Sequence, residues 1–402
     1  MNSLLKISWR NLFRNRRRTL FNILTITLGA TSLLTYQGFN TGILSEYREK
    51  TIHGYYGHGQ VFQSGYYSHV HEKPWKMWHE KPAEVEQKLK NIPGVLDVFP
   101  RISLFALLVN KGVNLGGKGE GIVAERENKF FNKMNFIEGH DIQSDDSIIL
   151  GKGLAESLGV HAGDYVTVLN QTVDGQVNGA DLVVAGIFHI GKKSIDDTFF
   201  RISLKMAQQL LNTDRVEMFS LGLEETAEWS TVANDIQKQD GKLDPISFEV
   251  LDKVYYQNSV DFLSSQFNFI RIIILLVVGL GIFNSISMSM LERAGEVGAL
   301  RANGESRKRL LSILLVENFF LGIIGGTLGI LLAILLNKTV FANGIVLPSA
   351  PGMTRPVLVY LSILPLHYLG ALILPTLTSV VAGLWPTQKL LRRSIPDLLR
   401  ST

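Results

Sequence analysis

Three groups of residues have types and spacing that could do chemistry. Of the nine histidines, His53, His58, His69, His71 and His79 all precede residue 80, with Met77 among them, and neighbouring neutral imidazoles can bind zinc or copper. The stretch lacks the His–carboxylate or Cys–His spacing of a metal site, and Tyr and Gly dominate it, so it reads as a polar, aromatic-rich surface loop. The run from Gly112 to Gly117 and Lys118 has the spacing of a phosphate-binding loop. Gly119, however, stands where a magnesium-holding hydroxyl belongs, and the strand-to-helix context is missing. Glu317 lies inside an apolar run, where carboxylates are costly and usually functional. It sits about two turns from the inner end of its helix, so a structural partner is expected in preference to a proton relay. No catalytic set, cofactor-binding site or metal-ligand set is read from these residues.

The elements that position them are mostly membrane spans. Apolar runs at 20–39, 267–291, 310–336 and 357–385 are each long enough to cross ~30 Å of hydrocarbon. Lys6, Arg10, Arg14 and Arg16–Arg18 precede the first run, Arg293, Arg301 and Arg307–Arg309 follow the second, and Lys389, Arg392, Arg393 and Arg400 close the chain. Positive residues stay on the cytoplasmic side, so both termini and the 292–309 loop are expected inside, and 40–266 and 337–356 outside. The first run is longer than the core of a signal peptide and lacks a clear cleavage site, so it reads as an uncleaved anchor. Residues 1–19 read as an amphipathic interfacial helix, with Leu5, Trp9, Leu12 and Phe13 toward lipid and arginines toward headgroups; 386–402 read as a cytoplasmic tail. The net charge of +4 is concentrated beside the membrane, which argues against nucleic-acid binding and for contact with membrane lipid. The absence of cysteine excludes a disulfide framework and thiolate chemistry.

The expected fold class is an α-helical membrane protein with four transmembrane helices plus a large α+β extracytoplasmic domain. Residues 82–91 read as a short helix followed by strands over 95–109, and a second helix-then-strand unit spans 226–239 and 246–251. Two such halves around a long insertion imply a split α/β subdomain with an inserted β-rich lobe, roughly 101–222. Gly322, Gly325, Gly326 and Gly329 form a small-residue face on the third span, suited to close helix packing within the subunit or across a dimer.

The most specific pattern is Glu292-Arg293-Ala294-Gly295-Glu296-Val297-Gly298-Ala299-Leu300-Arg301-Ala302-Asn303-Gly304, followed by Arg307-Lys308-Arg309 and Val316-Glu317-Asn318. It resembles the FtsX-like permease family, which includes the permeases of lipoprotein-releasing transporters, MacB-type exporters and FtsX itself. Trp9-Arg10-Asn11-Leu12, Arg16–Thr19 and Leu150–Ala155 with Gly163-Asp164 extend the resemblance along nearly the whole chain. Asn303, where the family usually carries an apolar residue, and Glu305 are departures.

The resemblance implies half of a mechanotransmitting ABC transporter: a non-catalytic permease paired with a second permease chain, as homodimer or heterodimer, and driven by two cytosolic ABC ATPase subunits that bind the ATP. Residues 292–309 would then be a coupling helix, with Val297, Leu300 and the preceding Leu291 seated in a groove of the ATPase and its charges fixing register. Glu292, Arg293, Glu296, Gly298, Arg301 and Gly304 are the other candidate coupling residues. The leading expectation is extraction of a lipoprotein or other hydrophobic cargo from the inner membrane. The alternatives are a MacB-like tripartite exporter and an FtsX-like transmitter that activates a cell-wall hydrolase, with a periplasmic chaperone, adaptor or hydrolase as the corresponding partner.

Overall fold

A computed structural model describes residues 2–70, 72–349 and 353–399, so His71 and Arg400 lie outside the described residues. The chain divides into two compact units, one comprising residues up to Ser45, Asp261–Val346 and those from Leu358 on, the other Glu46–Val260 and Leu347–Val357.

The second unit holds the ten-stranded sheet. Its strands are β1 (Gly59–Gln63), β2 (Val95–Asn110), β3 (Val113–Ile122), β4 (Asn135–Gly139), β5 (Ser147–Gly151), β6 (Tyr165–Gln171), β7 (Val177–His189), β8 (Phe199–Ser203), β9 (Met218–Leu223) and β10 (Leu243–Ser247). They pair in the order β10-β1-β9-β2-β3-β8-β5-β7-β4, and β6 joins β2 to β7. The run β2-β3-β8-β5-β7-β6 therefore returns to β2 and closes a barrel, which removes its exposed sheet edges. Along β6, Val166 and Val168 are buried while Tyr165 faces out, the period-two alternation a filled barrel requires. Ile102, Leu104, Leu108, Ile148, Leu150, Leu182, Val184 and Phe200 complete that interior.

β2 is long enough to serve two sheets. Its first half pairs with β9 in the open sheet and its second half with β3 and β6 in the barrel. Helices Pro82–Lys90 and Trp229–Gln239 pack on the open sheet through Leu89, Val232 and Ile236. These are the two halves of the split subdomain, with the barrel as the inserted lobe. At their junction Arg101 and Arg201 are fully buried. Arg101 donates to Glu127 at 2.8 and 2.7 Å and to the Tyr55 carbonyl at 2.5 Å, and both arginines reach Glu120 at 3.3 Å. Buried charges of this kind persist only when paired.

Two expectations for this unit are overturned, for the histidine-rich stretch and for 246–251. The histidine-rich stretch is a surface segment only in its middle, where His69 and Tyr67 are exposed: β1 lies between β9 and β10, and His58 and His79 are buried. Burial holds both imidazoles near a pKa of about 4, neutral at ordinary pH. The glycine-lysine run is a β-hairpin, with Lys111 and Gly112 at φ 46° and 89° in a two-residue turn and Gly117 and Gly119 leaving room for the Phe200 ring inside the barrel. In place of a strand over 246–251, β10 ends at Ser247, and Phe248–Leu251 is a helical turn that buries Phe248.

The first unit is helical. Helices Arg16–Thr51, Asn258–Glu292, Arg307–Thr339 and Pro365–Arg392 are each long and apolar enough to cross a membrane. The fourth begins at a proline, suited to the first helical turn, whereas Val357–Val359 is a strand. Helix Asn2–Arg14 precedes the first long helix and packs on the third: Ser8 donates to the Ile313 carbonyl at 3.0 Å, and Trp9 meets Phe320 edge-on at 5.4 Å. Leu5, Trp9 and Phe13 are exposed, but Leu12 is buried in the bundle core, not on the lipid side.

Candidate functional site: the charged turn between the second and third long helices

The second long helix ends at Glu292, and a short helix, Ala294–Ala302, follows after Arg293 leaves helical geometry. Gly304, at φ 88°, then reverses the chain, a conformation that glycine adopts at little cost. The Ser306 hydroxyl accepts from the Arg309 backbone N–H at 3.3 Å and so caps the start of the third long helix.

The charges of this turn are arranged in layers. Arg293 Nη1 donates to both oxygens of Glu317, at 2.8 and 2.7 Å, and Arg293 Nε donates to Glu296 at 3.3 Å. Arg18 Nη2 approaches Glu317 at 3.9 Å, and Arg14 pairs with Glu296 at 2.9 Å. Arg18, Arg293 and Glu317 are all buried. The network ties the first long helix, the turn and the third long helix together, and the buried carboxylate balances the arginines around it. Glu317 therefore sits in a structural ion network; Arg293 follows the second span in sequence and Arg18 begins the first, so neither pairing was visible as a local motif.

The apolar face of the short helix is also occupied by the chain itself. Ala294, Val297 and Gly298 are buried, and the C-terminal helix Ile395–Leu399 packs on them; a Cβ at position 298 would stand 2.9 Å from that of Leu398. Arg301 Nη1 donates to the Leu391 and Arg393 carbonyls at 3.3 and 2.6 Å, closing the end of the fourth long helix. Arg293, Val297, Gly298 and Arg301 thus make contacts within the chain, with Glu296 half-buried among them. Glu292, Leu300 and Gly304 face outward together with Leu291, Ala299, Asn303, Arg307 and Lys308. The outer surface of the turn is a rigidly backed tip carrying Leu291, Ala299 and Leu300 among charges, suited to binding another protein and holding no acid–base pair. Among the described residues no group of three or more His, Cys, Asp or Glu could hold a metal ion.

The glycine face of the third long helix is filled within the chain. Cβ atoms at Gly325 and Gly329 would lie 2.6 Å from Ile26 Cβ and 2.5 Å from Ala30 Cβ, and Thr27 and Thr31 donate to the Gly325 and Gly329 carbonyls at 3.2 and 3.1 Å. On the other side a Cβ at Gly322 would meet Thr376 Cα at 2.5 Å, and Gly326 faces Leu372 and the Ala371 carbonyl. Bare backbones let the first, third and fourth helices approach closely.

Residues 19–239 match the MacB-like periplasmic core domain, and residues 268–395 match the FtsX-like permease C-terminal domain. The chain is 26% identical over 343 residues to the lipoprotein-releasing system transmembrane protein LolC of Neisseria meningitidis, covering 80% of this chain and 77% of that protein. It is 22% identical over 443 residues to LolE, of the same system, from Haemophilus influenzae, covering 100% of both. Similarity to the macrolide export ATP-binding/permease protein MacB of Pasteurella multocida is local, 35% over 80 residues, or 20% of this chain and 12% of that protein.

Proposed function

The chain belongs to the FtsX-like permease family, with a MacB-like periplasmic core domain, and from that premise we propose that it is the permease subunit of an ABC transporter that releases lipid-linked cargo, such as a lipoprotein, from the inner membrane. As a family member it is a multi-pass permease that works with a partner ATPase, its large domain outside the cytoplasm. The observation that carries the cargo reading is coverage: similarity runs through 77% and 100% of the two lipoprotein-releasing relatives, against 12% of the macrolide exporter.

In this reading two permease chains, the same or homologous, pair above two ATPases. The exposed tip of Glu292, Leu300 and Gly304 docks on the ATPase, while Arg293, Glu296, Val297, Gly298 and Arg301 hold the tip rigid against the bundle, so that motion of the ATPase moves helices and not merely a loop. Glu317 anchors that assembly as a counter-ion. The test is reconstitution of the permease with its ATPase in liposomes carrying a labelled triacylated lipoprotein and a soluble acceptor. ATP-dependent transfer of label to the acceptor is expected; steady ATP hydrolysis with no transfer would remove the cargo assignment and leave the permease assignment standing.

A further inference from the structure

At the outer end of the helical unit, the first, second and fourth long helices line an open cavity of about 660 Å³. From Arg271 to Glu292 the second helix runs about 30 Å, the thickness of the hydrocarbon layer, so Arg271 stands at the outer headgroup boundary. Gln37 and Asn40 reach a similar height above Arg18 on the first helix. These three residues and Asn268 line the cavity on one side, and Leu366, Leu369 and Ile373, all exposed, line it on the other. The side from the first and second helices carries the cation and the amides beside Leu44 and Phe267, and the side from the fourth is apolar apart from His367 and open to the surroundings of the bundle.

Among the described residues two groups in this cavity have no partner. Among the described residues no carboxylate pairs with Arg271, and none lines the cavity. Asn40 Oδ1 is buried with no hydrogen-bond partner. A guanidinium takes a phosphate, and a buried amide oxygen takes a hydroxyl or ammonium donor. One molecule supplies both groups beside an apolar wall.

We propose that this cavity binds a membrane phospholipid of the outer leaflet, its phosphate on Arg271, a hydroxyl or ammonium of its headgroup on Asn40, and an acyl chain against Leu366, Leu369 and Ile373. The occupant is a bulk phospholipid and not the transported cargo, because the acylated cysteine of a lipoprotein carries acyl chains but no phosphate. The site depends on the membrane topology and is independent of the cargo reading.

Native mass spectrometry of the full-length permease with its ATPase tests this, with phosphatidylglycerol, phosphatidylethanolamine or uncharged diacylglycerol added in turn. Retention of either phospholipid should exceed that of diacylglycerol by about tenfold, and Arg271→Gln should lower it about as much while Arg271→Lys keeps most of it. Ile373→Trp, which fills the apolar side, should reduce retention of all three. Equal retention of diacylglycerol and phospholipid, or an Arg271→Gln variant that holds phospholipid as wild type does, would show ordinary boundary lipid and overturn the proposal. Stoichiometric displacement of phosphatidylglycerol by a triacylated lipopeptide would also overturn it, by assigning the cavity to cargo. Co-purification of ATPase, recorded on the same samples, should be unchanged in every variant.

Discussion

Glu317 shows why a buried carboxylate need not be a chemical one. Its two oxygens are taken by Arg293 at 2.8 and 2.7 Å, with Arg18 at 3.9 Å, so its charge serves to offset two cations withdrawn from water. Such a pair contributes little net stability against an apolar replacement, but removing one member leaves the other uncompensated. Glu317→Gln should therefore destabilise the bundle by about 3–5 kcal/mol, seen as a lowered unfolding midpoint in detergent, and a second change, Arg293→Met, should recover part of the loss. A proton-relay role would give a different result: intact stability in Glu317→Gln and no rescue by Arg293→Met. The carboxylate was conspicuous in the sequence because charge in an apolar run stands out. Its partners were not, since pairing depends on how helices distant in sequence come together. His58 and His79 differ in the opposite direction, because residue type marks them as polar while burial is decided by chain distant in sequence, β9 beside His58 and Val216 beside His79.

The spans were legible at the level of elements because hydropathy over a helix-length window is a one-dimensional property. The split subdomain was legible because two helix-then-strand units recur on either side of a long insertion. Barrel closure was not, since it rests on β6 pairing with both β2 and β7, a choice that register and twist make only once all six strands exist. The glycine stripe lies between these cases. Its spacing announced close packing, and the structure supplies the neighbours, Ile26, Ala30, Leu372 and Thr376, all in the same chain. Gly329→Leu would drive a side chain into Ala30 and the Thr27 carbonyl, at 2.5 and 2.8 Å from the first added atom. Overpacking of this kind costs about 1–3 kcal/mol. Gly281→Ala, whose new methyl would meet only Thr25 at an ordinary 3.8 Å, should be neutral. Thermal unfolding of the two variants side by side checks this, and equal midpoints would mean that the third helix does not seat against the first.

For the whole molecule the decisive question is which surface of the turn at 292–304 belongs to the chain and which to a partner. Helical periodicity picked out Val297 and Leu300 as apolar, but it could not say that Leu398, far along the sequence, already covers Val297 and Gly298. Substitutions at the inward positions therefore report on the chain before they report on a partner. Arg301→Glu removes donors from two carbonyls that close the fourth helix, and Gly298→Trp collides with Leu398, so both should lower the stability of the permease by itself. The outward positions separate the two effects. Leu300 is 43% exposed and Glu292 is also exposed, so Leu300→Asp and Glu292→Lys should leave the unfolding midpoint of the permease within about 0.5 kcal/mol of wild type. If the tip docks in an ATPase groove, the same two changes should lower the amount of co-purified ATPase by about tenfold or more, because an apolar anchor becomes a buried unpaired charge and a register-fixing charge is reversed. Unchanged ATPase recovery in both variants, with Arg301→Glu and Gly298→Trp acting only on stability, would confine the turn to holding the bundle together and place the ATPase contact on another cytoplasmic surface of the permease.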